Sequence, residues 1–448
     1  MTVPARAVLQ NLALQNWKSF RDARLHLSEL TLLIGANASG KSNALEALKL
    51  LRWMASGARL SNFQQATRDA ELAIRGNVGD LKTRDSETLE SILGGRFAAP
   101  EPLGTVELVI GVAARQGDLR VVLEEMHLPE QGKDRPLYTI LKSASEVGNV
   151  IQVEYDNFKR GGNKPRIDCV DHQAVFTQLA TPARFGKEHK KAQELIPLAA
   201  ESVRSALEGM LFLDPNPAAM RGYAYANDTT LRGDGSNVSG VLHALCQDAA
   251  VRESLLEFVS ALPEQRFTGI DFVETPRAEV MVQLEETFGG KTRTCDAPLL
   301  SDGTLRVLSI AAALLSVSAG TLVVIEEIDN GVHPSRAESL VKMIQQASRQ
   351  RGLRVLVTTH NPALLDALPN SALPDVTVCF REPDTGRSQL VRLEDLEEYP
   401  SLMAQGPLGQ LATRGLVDRY VKSREGLEER SEKLRRWLAS LREGRADG

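Results

Sequence analysis

Gly35-Ala36-Asn37-Ala38-Ser39-Gly40-Lys41-Ser42 matches G-x-x-x-x-G-K-[ST] in full, between the apolar run Leu30–Ile34 and Ala44, Leu45, Ala47, Leu48 and Leu51 at helical spacing. In a strand–loop–helix setting, the glycines let backbone N–H groups converge on phosphate oxygens, and the helix start adds positive potential. Lys41 then reaches the β and γ phosphates and Ser42 ligates Mg²⁺. The expected ligands are therefore ATP and Mg²⁺, held by Gly35, Asn37, Ser39, Gly40, Lys41, Ser42 and Asn43.

Three further segments could complete that chemistry. Leu322–Ile325 reads as a buried strand ending in Glu326-Glu327, and paired carboxylates there are costly unless they hold a metal or activate water. Glu326 is expected on the Mg²⁺ shell, with Glu327 as the catalytic base that deprotonates the attacking water. A third strand, Arg354–Val357, leads to His360, which could donate to a γ-phosphate; Pro362 is expected to stop the chain from running straight into a helix. A helix over 334–350 joins the two strands, so both ends can open on one sheet edge. Leu300-Ser301-Asp302-Gly303 precedes a helix with Ser301 as its N-cap, forming a second phosphate-binding surface that would serve a nucleotide on another subunit.

The elements that must carry these residues sit in an ordinary globular chain. It has 448 residues, 42% hydrophobic and 25% charged, with 34 Gly and 20 Pro, which excludes collagenous and wholly disordered classes and allows about three structural units. A formal charge of -5 argues against a surface that is cationic all over. Four dispersed cysteines suggest neither a zinc cluster nor a disulfide framework, and with no signal peptide a cytoplasmic location is expected. Val307–Ile325 is uncharged, but Gly320-Thr321 divides it into a helix and a strand, so no membrane span is expected.

In this order, Gly35 to Ser42, Leu300 to Gly303, Glu326-Glu327 and His360 resemble the ABC-type ATPase head, in the stand-alone bacterial branch related to SMC, RecF and overcoming-lysogenization-defect (OLD) proteins. Asn16-Trp17-Lys18-Ser19-Phe20, Asp234-Gly235-Ser236-Asn237 and Ile325 to Pro334 are similar to that branch too. The resemblance implies an α/β P-loop NTPase of ABC/SMC-head type with an inserted α+β arm and a C-terminal helical tail. It further implies that two heads sandwich two ATP molecules, with Ser301 and Gly303 on the partner's γ-phosphate and Asn330 to His333 as D-loop. An ATPase of phage-defence type is then expected, a homodimer or higher oligomer working with a separate effector, a nuclease or toxin. A RecF-like DNA-repair ATPase and an ATP-gated scaffold with negligible turnover are the alternatives. Two departures stand out: Glu326 replaces the usual Asp, and the Q-loop glutamine is not evident beyond Gln64 or Gln65.

The expected division is an N-terminal head lobe over 1–115, an inserted arm over 116–290, a C-terminal head lobe over 291–395 and a tail over 396–448. Twelve prolines between Ser42 and Leu300 exclude a long coiled coil from the arm. Strands are expected near 105–126, 137–154 and 278–286, with helices near 188–212 and 248–262. Lys159, Arg160, Lys164, Arg166, Lys187, Lys190 and Lys191 make the arm its most basic region, either a solvated face or a DNA contact. A tail helix over Arg414–Arg442 would carry Leu427, Leu434, Leu438 and Leu441 on one face. No D-x-D follows His360, so no nuclease is expected there.

Overall fold

A computed structural model describes residues 6–422, apart from 69–72, 85, 132–134, 142–148, 160, 162, 261–266, 289 and 330–336. The strands, in chain order, are β1 (Val8–Trp17), β2 (Phe20–His26), β3 (Leu30–Ile34), β4 (Glu90–Ala98), β5 (Thr105–Arg115), β6 (Asp118–His127), β7 (Tyr138–Ile140), β8 (Val150–Tyr155) and β9 (Arg166–Val170). They continue as β10 (Leu211–Leu213), β11 (Ala224–Tyr225), β12 (Phe267–Glu274), β13 (Glu279–Phe288), β14 (Lys291–Asp296), β15 (Leu322–Ile325), β16 (Arg354–Thr358), β17 (Val376–Arg381) and β18 (Ser388–Arg392).

Every residue of β3 and of β15 is buried. Apolar runs of that kind are stable only where both faces of a strand are covered, which makes them central strands of a parallel sheet. They pair accordingly: β10, β15, β16, β3 and β17 lie side by side, all parallel. Side chains alternate across a strand. Leu33, Val324 and Leu356 enter one core, while Leu32, Val323 and Val355 enter the other. The sheet then continues through β18, β2, β1 and β4 to β9, antiparallel except where β18 runs parallel to β2, and reaches 14 strands.

Between β1 and β2 the turn spans only two residues. Trp17 pairs with Phe20, and both side chains are fully buried, so the strands close up to Lys18-Ser19. The expected arm strands appear as β5 to β8 and β13, and its helices as Lys190–Glu208 and Ala249–Ser260. The 115/116 boundary falls in the turn of the β5–β6 hairpin, and the sheet continues across it. Tyr138, Leu195 and Leu207 share a core with Leu12 and Leu48, whereas Phe258, Val282 and Leu284 share the other with Leu305 and Val341. A second, four-stranded sheet holds β11, β12, β13 and β14.

At the C-terminal end, Pro407 caps the helix Leu408–Thr413; Gly409 lies so close to Pro362 that a Cβ would sit 2.0 Å from its carbonyl oxygen. The expected tail helix begins with Leu416–Val421, and Leu427, Leu434, Leu438 and Leu441 lie outside the described residues. Among the described residues, no helix is long and apolar enough to cross a membrane.

Glu124 of β6 is fully buried and accepts hydrogen bonds from the Tyr138 hydroxyl (2.7 Å) and the Val175 and Phe176 N–H groups (2.6 Å each). Burial outweighs these bonds and raises its pKa to about 7 from 4.5. The folded chain therefore keeps a proton that the unfolded chain releases, so stability falls as pH rises from 4.5 to 7 and then levels off. A shift of this size is worth up to about 3 kcal/mol. Melting curves between pH 5 and 8 should show the parent losing stability relative to Glu124→Gln as pH rises. A constant difference across that range would refute the assignment.

Candidate nucleotide site

The phosphate loop can be built only from glycine at its two ends. Gly35 has φ +147°, and a Cβ there would lie 2.0 Å from the Cys379 carbonyl oxygen; Gly40 has φ +122°, and its Cβ would lie 2.4 Å from the Ser388 hydroxyl. A run of polar contacts clamps the loop from outside. The Trp17 indole donates to the Asn43 carbonyl (2.7 Å), the Asn43 amide to the Ser19 hydroxyl (2.7 Å), and the Ser388 hydroxyl, 2.8 Å from that of Ser19, to the Ser39 carbonyl (2.5 Å). Lys18 and Arg75 both pair with the buried Glu46 on the following helix, Lys41–Ala55.

Lys41 folds back over this loop, donating to the carbonyls of Gly35 (2.7 Å) and Ala36 (3.2 Å). Burial lowers its pKa, while Glu327 acts in the opposite direction. Glu327 has the unusual φ of +47° and holds its N–H on the Thr358 hydroxyl at 2.8 Å. A non-glycine residue in that region is strained, which is seen most often at functional positions. His360 follows β16 at the same sheet edge and hydrogen-bonds the Gly35 backbone; burial and then Lys41 lower its pKa. At neutral pH it is therefore an uncharged imidazole with one N–H to donate.

These groups converge on one cleft of about 250 Å³, lined by Asn37 to Asn43, Glu326, Glu327 and His360. Gly35 supports it from behind through its carbonyl. Ser301 and Gly303 do not border this cleft. Ser301 is exposed, and its hydroxyl accepts from the Thr304 N–H (3.1 Å) as the N-cap of helix Asp302–Ser316; Gly303 is buried beneath it. Asn330 to His333 lie outside the described residues. Gln64 and Gln65 are exposed on the short helix Phe63–Arg68 and do not line the cleft. Pro362 starts a helix where a stop was expected: Pro lacks an N–H that the first turn does not need, and Asn361 caps it through the Ala363 N–H (2.9 Å).

Several participants carried no motif. Arg75 and Arg381 line the cleft, yet each is an isolated arginine in sequence. Lys49, two turns beyond Lys41, pairs with Glu326 at 2.8 Å, and its helical spacing from Lys41 was the one available hint. Asp214 follows β10 beside Glu326; burial and then Glu326 raise its pKa. In the basic region, Lys164 is bound to Asp156 (2.7 Å), Arg166 lies 4.0 Å from Glu154, and Lys191 sits over the Phe158 ring. Lys159, Lys187 and Lys190 are exposed, and Arg160 lies outside the described residues.

Residues 8–104 match a family model described as an AAA ATPase domain, and residues 167–366 one described as an AAA domain, putative AbiEii toxin, Type IV TA system. No curated protein matches the chain. Similar solved structures include an SMC head bound to the C-winged helix domain of ScpA, at 13% identity and TM-score 0.49 over 86% of this chain and 97% of that one. Others are the SMC head domain from Thermotoga maritima (15%, 0.43, 86% and 98%) and the Smc head of Pyrococcus furiosus bound to the C-terminal domain of ScpA (13%, 0.45, 89% and 100%). Likenesses at this level add nothing about function. The first domain match spans the phosphate loop, and the second spans Ser301, Glu326-Glu327 and His360. The chain is therefore a P-loop nucleotide-binding protein of the AAA ATPase class.

Lys41→Ala should abolish ATP binding in a calorimetric titration while leaving the melting temperature within a few degrees, since the ammonium contacts only loop carbonyls. Unchanged ATP affinity would remove the loop from the binding site.

Proposed function

We propose that the protein is a Mg²⁺-dependent ATPase whose heads dimerise around ATP, serving as the sensor or regulatory subunit of a bacterial anti-phage defence or toxin-associated system. The observation that carries the ATPase part is the convergence of Lys41, Glu327 and His360 on one cleft. In this reading Glu327 takes the proton from the attacking water, and neutral His360 turns its one N–H from the Gly35 carbonyl to the γ-phosphate. Ser42 and Glu326 supply hard oxygen donors of the kind Mg²⁺ accepts, once Glu326 exchanges Lys49 for the metal. When bound, Mg²⁺ would neutralise charge on the phosphate oxygens.

Dimerisation is favoured by Ser301, which is exposed at a helix start away from its own cleft and so could meet a partner's nucleotide. We read 1–115 and 291–395 as the two head lobes, 116–290 as the inserted arm and 396–448 as the helical tail. The toxin-associated role is supported by the description of the family matched over 167–366, and the effector would be a separate nuclease or toxin.

Glu327→Gln preserves size but cannot accept the proton, so hydrolysis should fall by roughly a hundredfold or more with ATP binding retained. Because slowed hydrolysis keeps the γ-phosphate in place, this variant should run as a dimer in size-exclusion chromatography with ATP and Mg²⁺. Adding Ser301→Arg should return it to the monomer. Normal turnover by Glu327→Gln would assign the base elsewhere, and an ATP-independent mass in both variants would dismiss the sandwich. Stimulation of turnover by DNA would favour the repair reading over the defence one.

A further inference from the structure

A second cavity, of about 600 Å³, opens at the opposite edge of the sheet, where the parallel strands begin. Leu30, the first residue of β3, and Arg354, the first of β16, lie on its wall, so the whole length of the parallel strands separates it from the nucleotide cleft. Its wall carries five guanidinium groups, from Arg24, Arg96, Arg349, Arg354 and Arg392, against two carboxylates, Glu29 and Asp375.

Both carboxylates on this wall are already engaged, and Asp395, outside it, offsets only part of the charge on Arg24 and His26. Glu29 pairs with Arg349 at 2.9 Å, Asp375 and Glu394 both pair with Arg392, and Glu107 is 3.7 Å from Arg96. Arg354 has no carboxylate partner among the described residues. Among the described residues, the buried Nε atoms of Arg96, Arg354 and Arg392 have no hydrogen-bond partner. Burial lowers the pKa of Arg24 and of His26; the next cause is Arg96 for Arg24, and Arg24 then Arg392 for His26. Clustered like charges with unmet donors destabilise one another unless an anion joins them.

We propose that this cavity binds a small phosphate-bearing anion. Guanidinium is the suitable group, since its planar fork donates two parallel hydrogen bonds to phosphate oxygens and stays charged when partly buried. The wall draws on β1, β2, β4, β16, β18 and the helix Ala337–Arg351, so an occupant would tie the antiparallel half of the sheet to the parallel half. The proposal is independent of what the nucleotide cleft does.

The probe is inorganic pyrophosphate, titrated calorimetrically into the full chain and into Lys41→Ala, which disables the phosphate loop. Binding should persist in Lys41→Ala, weaken steeply with salt, and fall at least tenfold on adding Arg354→Gln. Should that variant fail to fold by its melting curve, Arg349→Glu on the exposed rim should weaken binding at least threefold. Failure of Lys41→Ala to bind pyrophosphate, or binding that neither arginine change alters, would overturn the proposal. Competition by a 5′-phosphorylated oligonucleotide, but not by its unphosphorylated form, would identify the phosphate as a nucleic-acid end; no competition by either would identify a free small anion.

Discussion

The structure depends on a strand with two covered faces. Residues of β3 alternate between two hydrophobic cores, and β16 beside it and β15 beyond do the same in register. Such a strand has no polar face to offer water, so groups that must meet water or ligand can appear only at its ends. The phosphate loop, Glu326-Glu327 and the approach to His360 all emerge where the parallel strands stop. The long insertion respects the same constraint: one part thickens the first core through Tyr138 and Leu195, and another thickens the second through Val282 and Leu284.

At the cleft, three carboxylates are each met by an opposite charge or a donor. Glu326 leans on Lys49, Glu46 on Lys18 and Arg75, and the strained Glu327 is anchored by the Thr358 hydroxyl. The pairing of Glu326 with Lys49 is an exchangeable arrangement. Two partly exposed groups at this separation interact with modest energy, about 1 kcal/mol or less in screened surroundings, so another cation can compete for the carboxylate.

Much of this was legible because it is written in local pattern. The strand–loop–helix around Lys41, the apolar runs at β15 and β16 and the N-cap at Ser301 each follow from neighbouring residues. What was not legible depends on distant parts of the chain. Arg75 and Arg381 reach the cleft through tertiary packing, and nothing beside them in sequence indicates it. Pro362 was misread since the same residue ends one element or begins another according to what caps it; here Asn361 does. The two-residue turn at Lys18-Ser19 was set by burial of Trp17 and Phe20, a tertiary effect that overrode the polar stretch around it.

The clamp on the phosphate loop joins residues from the beginning of the chain to Ser388. On a ribosome, the loop's own sequence emerges early, yet β17 and β18, against which Gly35 and Gly40 close, are synthesised some 340 residues later. A nascent chain halted before Ser388 thus has the letters of a phosphate loop without its shape. The closed form of the loop waits until almost the whole sheet has been made.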